Sequence, residues 1–144
     1  MATVQMRNTR AMKRALANMG PELEFEVIKV LKKTGINLRS QIVRNYHQGP
    51  ATGTTYQKYN PRRVHTASAP GQAPQSDTGR LANSVLYDMP THLTVEVYTM
   101  VEYGYWLEFG TSTTLARPNW IPTVEEYRPQ YVKDIEAAIK KAMS

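Results

Sequence analysis

A chain of 144 residues has room for one domain, and its hydrophobic share of 41% points to a modest core with polar extensions. The absence of cysteine removes disulfides, thiolate catalysis and cysteine zinc sites together. A formal net charge of +6 calls for an acidic partner, either nucleic acid or an acidic protein surface.

Arg7, Arg10, Lys13 and Arg14 open the chain with no apolar run behind them, so no signal peptide is expected. The apolar runs are too short to span a bilayer, and a soluble protein is expected. Residues 5–18 read as a short basic helix with Met12, Leu16 and Met19 near one side. Gly20-Pro21 breaks the chain, with glycine suited to a helix end and proline to the first turn of the next.

Glu22, Glu24 and Glu26 then place negative charge at a helix N-terminus, where the dipole favours it. Leu23, Val27, Leu31, Leu38, Ile42 and Tyr46 share one helical face, which predicts a long amphipathic helix over 21–47. Lys29, Lys32, Lys33, Arg39 and Arg44 occupy much of the rest and read as a solvated face. Gly35 at its middle costs about 1 kcal/mol relative to alanine and is expected at a bend.

Between residues 48 and 76 the periodicity disappears, and glycines and prolines punctuate the run. A structureless connection of this length is functional or disordered. Tyr56, Tyr59, Arg62 and Arg63 are residue types enriched at contact patches, which predicts an arm that orders on a neighbouring subunit.

Asp77 or Thr78 is expected to cap a short helix holding Arg80, Leu81 and Val85, with Gly79 easing the entry. A strand starts near Val85–Tyr87, and Pro90-Thr91-His92 reads as a hairpin turn. Leu93, Val95 and Val97 alternate with Thr94, Glu96 and Tyr98, the pattern of a half-buried antiparallel strand.

Four aromatics fall within Tyr103–Phe109, and Gly104 and Gly110 favour a short helix there. A polar loop follows from Gly110 to Thr114. Pro118–Ile121 reads as an anchored turn with Trp120 as its plug, followed by a C-terminal helix starting near Pro122. Val124, Tyr127 or Tyr131, Ile135, Ile139 and Met143 continue its apolar face, and Pro129 is expected to kink it or delay its start.

The pattern predicts an α+β fold in a single domain spanning 1–144. A long N-terminal amphipathic helix and a C-terminal helix pack on a small antiparallel sheet, with a long extended loop.

The search for chemistry finds no active site. His47, His65 and His92 lie on a helix end, a loop and a turn without metal-ligand spacing, and the glycines form no phosphate-cradling loop. Glu108, set between Leu107 and Phe109, is expected to be partly buried and paired with Arg80 or Arg117. No cofactor, no metal and no enzymatic activity are expected.

Four segments in order carry a resemblance. Asp77-Thr78-Gly79-Arg80-Leu81, with Ser84-Val85 after it, resembles the "TGRL…S-aliphatic" segment of phage tail-completion and head–tail joining proteins. Tyr103–Thr111 resembles their "Y-aromatic-E-F-G-T" segment, and Ala116-Arg117-Pro118 with Trp120-Ile121-Pro122 their "ARP-aromatic-aliphatic-P" segment. The lead-in from His65 through Ser68-Ala69-Pro70-Gly71-Gln72-Ala73-Pro74 is similar to a run found in many members. Asn119 and the insert from Gln48 to Asn60 depart from the pattern.

The resemblance implies a virion protein at the neck of a long-tailed phage, assembled in the bacterial cytoplasm as a ring, most simply a hexamer. Its partners would be copies of itself, connector or head-completion proteins, and tail tube or terminator proteins, with non-specific contact to packaged DNA and no membrane. Tail terminator and head-closure roles are the near alternatives, and a basic nucleic-acid-binding module is the alternative of a different class. On this reading Tyr56, Tyr59, Arg62, Arg63, Tyr105, Trp106 and Phe109 are subunit-contact candidates. Asp77, Gly79, Arg80, Glu108, Gly110, Arg117, Pro118 and Trp120 hold the fold.

Overall fold

The computed structural model describes residues 10, 14, 17–18, 20–59, 62–74, 76 and 78–144, and the backbone of 2–7. Its elements are β1 (Ala2–Arg7), α1 (Pro21–Gln48), β2 (Thr55–Tyr59), β3 (Arg62–Thr66), α2 (Arg80–Asn83), β4 (Leu86–Thr91), β5 (Thr94–Thr99), α3 (Glu102–Phe109) and α4 (Trp120–Met143). The fold is α+β, with two long helices and a small antiparallel sheet.

Helix α1 begins with Pro21 at its first position and Glu22 and Glu24 in its first turn. Leu23, Val27, Leu31, Leu38, Ile42 and Tyr46 are all buried on the face that their spacing predicts. That face serves two neighbours. One is the sheet, which packs so close at Gly35 that an added Cβ would lie 2.6 Å from Val95 Cγ2 and 3.0 Å from Tyr87 Cδ2. The glycine expected at a bend therefore has a packing role.

The other neighbour is α4, which runs antiparallel to α1. Lys33 Nζ lies 3.3 Å from Asp134 Oδ2, Asn37 Nδ2 donates to Tyr127 OH at 3.0 Å, and Asn45 Nδ2 donates to Thr123 Oγ1 at 3.0 Å. Helix α4 starts at Trp120 and runs through Pro129, so the proline does not delay it. Ile135 and Ala138 are buried, whereas Met143, expected on the apolar face, is exposed in the last turn.

The three-stranded sheet has the order β1-β5-β4, with β5 central. Val95 and Val97 of β5 are buried on one face, as the alternation predicts, whereas Leu93 lies in the turn and Thr94, expected on the opposite face, is buried as well. Strand β4 continues to Thr91, so the hairpin turns at His92-Leu93 and not at Pro90. The β4–β5 register shifts between Asp88 and Thr91, around a proline that has no N–H for the ladder.

Two further expectations fail. The predicted helix over 5–18 does not include its first turn, because β1 pairs with β5 from Ala2↔Thr99 to Arg7↔Thr94. An open edge on β5 offers backbone hydrogen bonds that local helix propensity does not match. Arg10, Arg14, Ala17 and Asn18 are helical, while Met12, Leu16 and Met19 lie outside the described residues.

The run from 48 to 76 is not structureless either. Strands β2 and β3 form an antiparallel hairpin with Thr55↔Thr66 and Tyr59↔Arg62 as outer pairs. The pairing continues past the strands, since Ala67 N–H donates to Thr54 C=O at 3.0 Å and Gly53 N–H to Ala67 C=O at 2.8 Å. A Cβ at position 53 would meet Ser68 O at 2.5 Å, so the base of the hairpin needs glycine.

The core forms two clusters along α1. One joins Leu23, Val27, Leu31, Val95 and Ile135, and the other joins Leu38, Ile42, Tyr46, Leu81, Val85, Val97 and Trp120. The second cluster lies directly beneath the candidate site.

Candidate interaction site around helix α3

Helix α3 holds the aromatic cluster and ends at Gly110, whose φ of 76° is a conformation that favours glycine. The following loop is tied to itself, with Thr111 Oγ1 accepting from the N–H groups of Thr113 at 3.3 Å and Thr114 at 3.1 Å. The chain then returns to α3, where Arg117 N–H donates to Leu107 C=O at 2.6 Å.

Glu108 is only 6% exposed, and its carboxylate faces the first turn of α4. Oε2 accepts the N–H groups of Asn119 at 2.8 Å and Trp120 at 3.0 Å, and Oε1 accepts that of Ile121 at 2.8 Å. The first N–H groups of a helix lack acceptors of their own, and they carry the positive end of its dipole. A carboxylate placed there satisfies both. This corrects the expected ion pair of Glu108 with Arg80 or Arg117: backbone donors take both oxygens.

Arg80 instead sets its guanidinium 6.0 Å from the ring centroid of Tyr103. Arg117 Nε is buried without a hydrogen-bond partner among the described residues.

Asn119, which departs from the family pattern, is buried and ties the two long helices together. Its Nδ2 donates to Ile42 C=O at 3.0 Å, and its Oδ1 accepts from Asn45 Nδ2 at 2.8 Å. Thr123 Oγ1 donates back to Asn119 C=O at 2.6 Å. Trp120 is buried as predicted, and its Nε1–H donates to Tyr46 OH at 2.7 Å. Burial pushes the Tyr46 phenol up to about 12, outweighing the Trp120 and Asn119 hydrogen bonds, which lower it.

The remaining segments meet the same region. Gly104 packs where a Cβ would lie 3.1 Å from Leu81 Cδ1 and 3.2 Å from Thr99 Cγ2. Ser84 Oγ and Thr99 Oγ1 share a hydrogen bond of 2.6 Å. Gly71 N–H donates to Ala116 C=O at 3.0 Å, and Ser76 N–H to Tyr46 C=O at 2.7 Å. Gly79, with φ of 78°, opens α2, and Arg80 N–H reaches Thr78 Oγ1 at a long 3.4 Å. Asp77, expected as a cap, lies outside the described residues, and Val85 follows α2 and is buried.

The outer face of α3 is open. Tyr105, Trp106 and Phe109 are exposed, Trp106 to 48%, and the Tyr105 and Phe109 rings lie 4.8 Å apart at 46°. Beside them, Tyr103, Trp106, Leu107 and the 111–114 loop line a recess of about 480 Å³.

The other contact candidates sit on the hairpin. Tyr56 is partly exposed with its ring edge-on to His65 at 5.4 Å, Tyr59 and Arg62 are exposed, and Arg63 is half-buried. The structure thus gathers Arg80, Glu108, Gly110, Arg117, Pro118 and Trp120 around α3 and divides the contact candidates between α3 and the hairpin.

The histidines remain apart on α1, on β3 and in the β4–β5 turn, where His92 Nε2 lies 2.8 Å from Glu24 Oε1. Among the described residues, no three His, Asp or Glu side chains gather in a metal-like cluster. No helix among them is long and apolar enough to cross a membrane.

Compared with protein-family profiles, curated proteins and solved structures, the chain has no match. Sequence reasoning missed Asn119, Asn45 and Thr123 as a group, and it missed Glu108 as a helix cap. The available signal was an asparagine directly before a helix start, with a threonine four residues on.

Proposed function

We propose that this chain is a non-enzymatic structural subunit of a long-tailed phage, forming a ring at the neck that completes the tail and joins it to the DNA-filled head. The observation that carries the reading is the interlock of the four resembling segments. Glu108 of the aromatic segment receives the N–H groups of Asn119, Trp120 and Ile121 in the segment after the loop. Gly71 of the lead-in bonds Ala116, and Leu81 packs on Gly104.

Segments far apart in sequence thus have one physical purpose, to hold α3 rigid with its aromatic face outward. Aromatic side chains held in place before association lose little entropy on binding, which suits them to be contact anchors. A closed ring needs two different patches, one fitting the other on the next subunit. The exposed aromatic ridge of α3 supplies one such patch.

The test is electron microscopy of a lysate from a phage carrying a stop codon in this gene. DNA-filled heads beside finished, unattached tails are expected. Tails of uncontrolled length would move the role to a terminator within the same class, and normal infectious particles would overturn the neck reading.

A further inference from the structure

The charge of this chain is unevenly placed. Residues 27–76 carry eight cations (Lys29, Lys32, Lys33, Arg39, Arg44, Lys58, Arg62 and Arg63) and no Asp or Glu. Three of the eight fall on the hairpin, where the register sets Lys58 directly opposite Arg63 and Tyr59 opposite Arg62. Like charges facing each other across a ribbon destabilise it, and residues 55–66 contain no Asp or Glu.

The local field acts on a neighbour. His65 is held below its ordinary pKa by burial first, then by the charges of Lys58 and Arg63. Aromatic rings are interleaved with the cations. Lys58 Nζ lies 5.8 Å from the Tyr56 centroid, and Tyr59 is 80% exposed beside Arg62.

We propose that the β2–β3 hairpin is a nucleic-acid-binding ribbon, in which Lys58, Arg62 and Arg63 contact backbone phosphates without reading sequence. A two-stranded ribbon fits the major groove of a duplex, and exposed tyrosine beside arginine offers a stacking face for unpaired bases. An acidic face on a second copy of the chain is a poorer fit. Glu26 is met by Lys29 and Lys141, Asp134 by Lys33, Glu125 by Arg128 and Glu24 by His92, all within one chain. The exposed carboxylates outside these pairs, Glu22, Asp88, Glu102, Glu126 and Glu136, are spread over α1, β4, α3 and α4 and offer no dense anionic face to match the hairpin.

Fluorescence anisotropy of the full chain with a labelled duplex of about 30 base pairs, titrated between about 50 and 200 mM salt, tests the proposal. The wild type is expected to bind with an affinity that falls steeply with salt. A Lys58→Ala/Arg62→Ala/Arg63→Ala variant should bind roughly tenfold more weakly, with the log–log slope flattened by about 2 to 3, at about 0.9 for each phosphate no longer neutralised. A charge-keeping Lys58→Arg/Arg62→Lys/Arg63→Lys variant should retain binding, which separates the effect of charge from that of misfolding.

Three results would overturn the proposal. They are no wild-type binding at low salt, unchanged binding by the alanine variant, and loss of binding only when Lys29, Lys32 and Lys33 of α1 are replaced. If the alanine variant keeps DNA binding but self-associates less in sedimentation, the hairpin docks on a second copy instead. The assay reads the free chain, so its outcome is independent of whether the chain builds a neck ring.

Discussion

Glu108 shows how much one buried side chain can organise. A carboxylate taken out of water costs several kcal/mol unless donors surround it. Here three backbone N–H groups do so within 3.0 Å. Hydrogen bonds to a charged group contribute about 1.5 to 3 kcal/mol each, and their loss leaves buried donors unmet. Glu108→Ala should therefore lower stability by about 3 to 5 kcal/mol in urea unfolding, and Glu108→Gln by about half of that. A loss below about 1 kcal/mol for the alanine variant would mean that the cap does not hold α4.

Tyr46, one layer deeper, makes a prediction in pH. Its folded pKa of about 12 lies above the ordinary 10.0, so the unfolded chain loses this proton first as pH rises. The stability contribution is complete below pH 10 and is lost through pH 12, about 3 kcal/mol in all. Burial raises Tyr131 in the same direction. Tyr46→Phe leaves Trp120 Nε1–H without its acceptor, so it should be less stable at pH 7 but decline less between pH 10 and 12. Parallel alkaline profiles for the two proteins would contradict this.

At the scale of elements, Gly35 sets two effects against each other. Alanine would gain about 1 kcal/mol of helix propensity in α1. Its methyl group, however, would sit 2.6 Å from a branched methyl of Val95, and overpacking of this kind costs about 1 to 3 kcal/mol. Gly35→Ala should destabilise, and a Gly35→Ala/Val95→Ala double variant should recover part of the loss in thermal unfolding. A more stable single variant would show that α1 and the sheet can separate freely.

The elements that the sequence reveals share one property, a local signal. Helix α1 and strand β5 each bury a face set by a local period, and helix α3 is closed by Gly110 directly after its aromatic run. The missed elements draw their stability from elsewhere. Strand β1 exists because β5 has an edge to pair, and an edge that lies between Thr94 and Thr99 leaves no mark on residues 2–7. The hairpin has exposed residues on both sides of its ladder, so no apolar alternation announces it. The only cue was an Asn-Pro pair between runs rich in tyrosine, threonine and valine. For the site, aromatic clustering located α3, but the partner of Glu108 was read as a side chain because backbone donors carry no letter in a sequence.

For the whole molecule, the proposed ring makes the exposed aromatic face of α3 a matter of assembly and not of folding. Trp106 is half exposed in the free chain, so truncation should cost the monomer about 1 kcal/mol or less. At the centre of a contact a tryptophan contributes about 2 kcal/mol or more, and a closed ring repeats the contact at every joint. Trp106→Ala should therefore leave the urea midpoint nearly unchanged while shifting the species seen in sedimentation velocity from ring to monomer. Phe109→Ala, which removes the ring packed on Tyr105, should act in the same direction more weakly. A Trp106→Ala chain that unfolds would make Trp106 a structural prop, and one that assembles as before would place the contact on another face. Only the separation of assembly from folding fits a rigid ridge built to meet a second subunit.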